Sequence, residues 1–271
     1  MTALLLLAAL AYVTAAATGA LWMAADAGNR PRPGLRVASI AAGLLAVIAH
    51  AALHVLAWVA SGGPDMHFFA ALSLVTLGMS ALTATVAWRQ RLQALGVVVY
   101  PLSAIMLTLY HFFGHLHAEE LDWRLLLHAW LALLAYATLS LAALLALALA
   151  AQERALRTRQ IRGWLRVLPP LTQMELLLFR CIGAGFAVLT LTLVTGLLFV
   201  HDLLGQHLWH KTVLSVLSWL VFGWLLLGRW RWGWRGPRAV KLTLLAMALL
   251  ALAFFGSKYV LEVVLHRHET M

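Results

Sequence analysis

Of the 271 residues, 63% are hydrophobic and only 11% are charged, whereas about a quarter of a soluble domain is charged. A formal net charge of +10 would suit a nucleic-acid binder in a soluble chain, but beside this apolar content it reads as a membrane topology signal. The single cysteine, Cys181, excludes an intramolecular disulfide and any Cys-x-x-Cys dithiol carrier.

A spanning helix needs about 20 apolar residues. Eight segments qualify: 3–24, 37–60, 67–88, 94–113, 125–150, 182–200, 212–228 and 239–261. Lipid cannot satisfy an open backbone, so each of these runs must be helical. The expected fold class is all-α: a polytopic membrane protein, one integral domain over residues 1–271, with a bundle of about eight transmembrane helices. No basic residue precedes the first apolar run. That run therefore reads as an uncleaved span and not as a secretory signal, which needs a positive n-region.

Taken in chain order, the connections alternate in charge. Arg30, Arg32 and Arg36 follow the first span, and Arg89 and Arg91 follow the third. Arg154, Arg157, Arg159, Arg162, Arg166 and Arg180 lie between the fifth and sixth; Arg229, Arg231, Arg235, Arg238 and Lys241 lie between the seventh and eighth. These make 16 of the 20 basic residues, all on one side. Asp65, Glu119, Glu120, Asp122 and Asp202 lie on the other. The positive-inside rule then puts the basic side in the cytoplasm and both termini in the periplasm of a bacterial inner (cytoplasmic) membrane. The one long connection, residues 151–181, is a basic amphipathic segment expected to lie on the anionic inner leaflet until Pro169 and Pro170 break it. It suits a partner-docking site as well as a simple orientation signal.

The 12 histidines follow the opposite rule. His67, His111, His115, His117, His128, His201, His207, His210, His266 and His268 all fall at periplasmic helix ends or loops, and His50 and His54 fall in the outer half of the second span. Neutral imidazole is a common metal ligand and an axial ligand of haem iron. His128, His201 and His210 are the axial candidates, since three helix ends present them at one depth. Haem also needs apolar walls and polar partners for its propionates. Trp123, Trp130, Trp209 and Trp219 can supply the walls, and Arg124 and Lys211 stand at propionate level. His50 and His54 share one helical face at i,i+4 spacing, and polar groups inside a span point to function. Plainer uses stay open. Tryptophans at helix ends form the interfacial belt of many membrane proteins. His115 and His117 with Glu119 and Glu120 also suit a divalent cation, and His50 also suits a simple interhelical hydrogen bond.

The stretch "LLLHAWLALLAYATLSLAALLALALA", Leu125 to Ala150, resembles the helix of the CcsA/HemX-type cytochrome c assembly family that carries an outward histidine. "LPPLTQMELLLFRCIGAGFAVLTLTLVTGLLFVHDLL" and "HKTVLSVLSWLVFGWLLLGRWRWGWRGPRAVKLTLLAMALLALAFFGSKYV" extend the likeness, which is similar to the family's short bacterial branch and densest from Leu125 to Tyr259. The resemblance implies a haem-binding membrane protein that presents haem at the periplasmic face. His128 takes the first outer histidine position, and His266 is nearest to the second. Lys211 and Trp219 match the end of a tryptophan-rich loop, His210 replaces an acidic-proline element, and His50 matches a histidine within the membrane. That loop is reduced here to Trp209 and its neighbours, which favours haem binding over attachment to apocytochrome.

The expected function is therefore haem binding, as haem b, in cytochrome c assembly or haem trafficking, with other maturation proteins or apocytochrome as partners and no nucleic acid. Catalysis is not expected, because no triad, P-loop or zinc-hydrolase motif occurs. The alternative is a haem-free regulatory or accessory subunit acting in tetrapyrrole metabolism or through the basic connection. A divalent-metal transporter fits less well, because below His50 the spans offer mainly hydroxyls such as Ser80, Thr83, Thr192 and Ser215.

Overall fold

A computed structural model describes residues 1–28, 30, 32–89, 93–114, 122–159, 168–199 and 209–256. Among them the regular structure is entirely helical: α1 (Thr2–Ala27), α2 (Pro33–Ser61), α3 (Phe68–Arg89), α4 (Gln93–Phe113), α5 (Trp123–Arg157), α6 (Leu171–Phe199), α7 (Trp209–Trp232) and α8 (Pro237–Ala251), the last continuing into a π-helical turn at Leu252–Gly256. All eight are long and apolar enough to cross a membrane. Their outward residues are apolar: Leu10, Ile48 and Leu197 are 65%, 65% and 74% exposed. In lipid this costs nothing, whereas in water it would leave large hydrophobic patches.

The helices match the expected spans in number and order, and α5 and α6 are clearly longer than theirs at one end. α6 starts eleven residues earlier than its apolar run and takes in Glu175 and Arg180, and α5 runs past residue 150 to Arg157. Hydropathy marks the hydrocarbon core only. Arg, Gln and Glu are good helix formers, so a helix continues into the wet interface. Much of the expected interfacial helix in the basic connection falls at 160–167, outside the described residues. Its flanks are tied together, Gln152 Nε2 donating to the Pro169 carbonyl at 3.1 Å. Pro169 and Pro170 precede α6, where proline's missing N–H costs nothing.

The chain packs as two compact units: Met1–Glu120 with Ala151–Gln173, and Leu121–Ala150 with Met174–Met271. The first is built on small residues. Ala8, Ala11, Ala15 and Ala16 of α1 and Ala46 and Ala49 of α2 are buried, which lets helix backbones approach closely. Ser39 Oγ donates across this seam to the Ala15 carbonyl at 2.8 Å. Tyr100 of α4 fills a slot left by two glycines: a Cβ on Gly43 would meet its hydroxyl at 2.6 Å, and one on Gly96 would meet its ring at 2.7 Å. Gly43→Ala is expected to expel this ring and cost about 1–3 kcal/mol as overpacking. Thermal unfolding in detergent checks this; an unchanged midpoint would show that Tyr100 has room to move.

In the second unit, polar bonds cross the apolar contacts. Tyr136 of α5 donates to the Leu250 carbonyl at 2.6 Å, and Ser218 of α7 to the Ala246 carbonyl at 2.7 Å. Trp219 stacks on Phe186 at 5.5 Å and 16°, and its indole N–H donates to Thr190 Oγ1 at 2.8 Å. The α7–α8 turn uses Gly233 (φ 63°) and Gly236 (φ 54°) in the left-handed region. Glu175 at the start of α6 accepts the Gly236 N–H at 3.0 Å and lies 3.9 Å from Arg235.

Candidate functional site

His128 sits in the second turn of α5, and Thr195 and Gly196 sit in the last turn of α6. The His128 Nδ1 and Thr195 Oγ1 are 3.1 Å apart. The threonine hydroxyl proton is already given to its own helix, to the carbonyls of Leu191 and Thr192, both at 3.0 Å. The Thr192 backbone is a second partner of this imidazole, so two residues of α6 seat the His128 ring. Histidines that bind metals are held in this way, one ring nitrogen being fixed by a hydrogen bond to the protein. Gly196 lies directly against the ring: a Cβ there would come within 3.0 Å of His128 Cε1. A larger residue would push the imidazole out of its seat.

The other predicted residues lie in the first turns of α5 and α7. Trp209, His210 and Lys211 form the first turn of α7, with the Trp209 and His210 rings edge-on at 6.2 Å. Trp130 lies two residues after His128 and keeps 38% of its surface exposed, against 57% for Trp209. Both retain open ring surface. Arg124 is held locally, its guanidinium 5.5 Å above Trp123 and 4.0 Å from Asp122. Such an exposed pair is weak, so the side chain can re-aim. Trp219, also a candidate wall, is instead used in α6–α7 packing. His201 lies outside the described residues, as do His115, His117, Glu119, Glu120, His207, His266 and His268. Among the described residues, no three of His, Cys, Asp and Glu converge to hold a metal ion.

His50 and His54 belong to the first unit and are used differently. Both are buried. His50 Nδ1 meets the Tyr12 hydroxyl at 3.0 Å, and its Nε2 meets Ser73 Oγ at 2.9 Å. His54 Nε2 meets the same Ser73 Oγ, also at 2.9 Å. The His50 and His54 rings stack at 5.3 Å, and His54 stacks on Tyr110 at 4.5 Å. Both nitrogens of His50 are therefore occupied, and this geometry leaves no lone pair on it for iron. Spacing alone identified the pair. Their partners Tyr12, Ser73 and Tyr110 lie on three other helices, and so does Thr195 relative to His128. For Ser73 one signal existed: counted back from the α2–α3 turn, His54 and Ser73 stand at nearly equal depth.

Fold and sites together define a multi-pass helical membrane protein with a histidine seated on the neighbouring helix in one unit and a buried imidazole row in the other. The chain belongs to the cytochrome c assembly protein family, whose pattern matches residues 38–265. It is 32% identical to the inner membrane protein YpjD of Escherichia coli strain K12 over 235 residues, covering 85% of this chain and 89% of that one. An uncharacterized 28.8 kDa protein of Azospirillum brasilense is 40% identical over 141 residues, 51% and 52% of the two chains. The cytochrome c biogenesis protein CcsA of Synechococcus sp. strain CC9605 is 28% identical over 87 residues, 31% and 28% of the two. No solved structure matches. With its eight apolar helices and this kinship, the protein is a multi-pass protein of the inner membrane.

Proposed function

We propose that the protein binds haem at the periplasmic face of the inner membrane and serves cytochrome c assembly or haem trafficking, without catalysing a reaction of its own. One observation carries this reading: His128 is seated on α6 by Thr195 through Nδ1, in a cradle that Gly196 leaves open. His210 of α7, or His201, would hold the iron together with His128, Lys211 and Arg124 would offer their charges to the haem carboxylates, and Trp130 and Trp209 would offer apolar surface. The bound group is haem b, held without a covalent link, since the only cysteine is Cys181 within α6. Bound haem would supply an iron centre whose potential the two imidazoles set. Other maturation proteins or apocytochrome would receive it, a reading supported by kinship with a cytochrome c biogenesis protein. Both termini lie in the periplasm, as the placement of arginines supports.

An absorption spectrum tests this proposal. Protein purified in detergent from haem-replete cells should show a Soret band and sharp reduced bands, and His128→Ala should lose them. His210→Ala should weaken them or change the spin state. A wild-type protein that stays colourless after haem is added would overturn the reading.

A further inference from the structure

We propose that the α7–α8 turn is a site for an anionic phospholipid, its exposed arginines taking the headgroup phosphodiester and a packed group of indoles lying against the apolar part of the same molecule. This inference does not depend on haem.

The stretch "GRWRWGWRGPR", Gly228 to Arg238, alternates tryptophan with arginine. Tryptophans scattered singly at helix ends form the ordinary interfacial belt, but here they are locked together. Gly233 bends the chain, so that the Trp234 ring folds back against Gly228 in the last turn of α7. The Trp234 backbone N–H donates to the Gly228 carbonyl at 3.2 Å and fixes that return. Trp232 and Trp234 stack at 5.6 Å and 25°, and Trp224, earlier on α7, closes on them at 5.5 and 6.0 Å. Trp224 and Trp232 nevertheless stay 51% and 54% exposed. The three rings form one apolar platform with an open side. Among the described residues the Trp219 indole has Thr190 as acceptor, whereas none accepts from the indoles of Trp224 and Trp232.

The charges around the platform are nearly all of one sign. Arg231, Arg235, Arg238 and Lys241 are exposed. Glu175 is the one carboxylate at this end of the unit among the described residues, and the turn uses it, through the Gly236 N–H at 3.0 Å and Arg235 at 3.9 Å. Arg229 is used as well: it lies 4.6 Å over Phe179 and donates to the Trp234 carbonyl at 3.3 Å. Arg231, Arg238 and Lys241 are left to an external anion, and the Arg238 guanidinium stands 6.0 Å from the Trp234 ring, at the rim of the platform. The fold gains little from these cations. Arg238 lies in the first turn of α8, where a positive charge opposes the helix dipole, and Lys241 repels it at i,i+3 spacing. An orientation signal needs only the arginines, with no packed indoles between them. Guanidinium, ammonium and indole N–H groups are donors without an acceptor. Their complement is an acceptor-rich anion on an apolar body, and α7 and α8 both cross the membrane, so their turn meets phospholipid headgroups of that chemistry.

Native mass spectrometry of the purified protein tests this, with phosphatidylglycerol and phosphatidylcholine of equal chain length supplied in equal amounts. The wild type should retain phosphatidylglycerol about tenfold more strongly. Arg231→Gln with Arg238→Gln should bring the two lipids level. Arg30→Gln with Arg32→Gln removes the same charge from exposed positions between α1 and α2 and should leave the preference intact. Trp232→Ala should weaken retention of phosphatidylglycerol with every arginine still present. Equal retention of both lipids by the wild type would overturn the proposal. So would an equal loss in the Arg30 and Arg32 variant, which would reduce the effect to net charge, or full retention in Trp232→Ala, which would remove the indoles from the site. Displacement of the lipid by inorganic phosphate would also overturn it, since the surface would then take a free anion. The wild-type comparison needs no variant to fold.

Discussion

Replacing Thr195 by valine is expected to weaken haem binding about 10- to 100-fold, the usual cost of losing the outer-shell partner of a metal-binding histidine, while the fold survives. Valine keeps the shape of threonine and removes only the hydroxyl that meets His128 Nδ1. The imidazole then loses the side-chain partner that fixes its orientation. Thr195 also gives a hydroxyl proton to its own helix, and losing such a back-bond is nearly neutral for helix stability. Thr195→Ser should therefore restore affinity, because serine keeps the oxygen in place. Haem titration followed at the Soret band measures the effect, and the band position adds a readout that general destabilisation would not move. Equal affinities for valine and threonine would mean that the His128–Thr195 bond plays no part in ligation.

The sequence made the eight helices legible because the bilayer imposes a length that apolar runs must meet, and the arginines mark which ends share a face. It also placed His128, His210 and His50 at readable depths. What it left out was rotation. The sequence offers Trp219 as a candidate wall, but it lies about midway along α7, and only packing shows its indole stacked on Phe186 and bonded to Thr190 instead of facing a ligand. Similarly, His50 and His54 are legible as an i,i+4 pair, whereas the serine bridging them belongs to α3, and Tyr12 to α1. Hydroxyls are poor sequence signals, since Ser and Thr inside spans usually bond back to their own helix, as Thr83 does to Met79 and Thr108 to Ala104. The glycine beside His128 is equally silent: in "VTGLLF" it reads as an ordinary small residue, and its use appears only when α5 is packed against it.

Ser73→Ala is expected to be the costliest small change in the first unit. It deletes one hydroxyl but strands two nitrogens, His50 Nε2 and His54 Nε2, in the buried interior. A buried polar group left unpaired costs roughly 1–3 kcal/mol. Interhelical hydrogen bonds in membranes fall toward the low end, since the unfolded helices also find partners, so a loss of about 2–4 kcal/mol is reasonable for the pair. Replacing both partners of a buried hydrogen bond by apolar groups of similar shape is close to neutral. The triple variant Ser73→Ala, His50→Leu, His54→Leu should therefore recover most of the stability that Ser73→Ala alone loses, while Tyr12 keeps Ser80 and Ser103 as neighbours. Unfolding in mixed micelles compares the two. If the single variant is as stable as the wild type, the three hydrogen bonds do not bind the unit together. If the triple variant is stable but cytochrome c assembly fails in cells that carry it, the imidazoles are retained for their protons and not for packing, since an apolar core of the same shape holds the helices equally well.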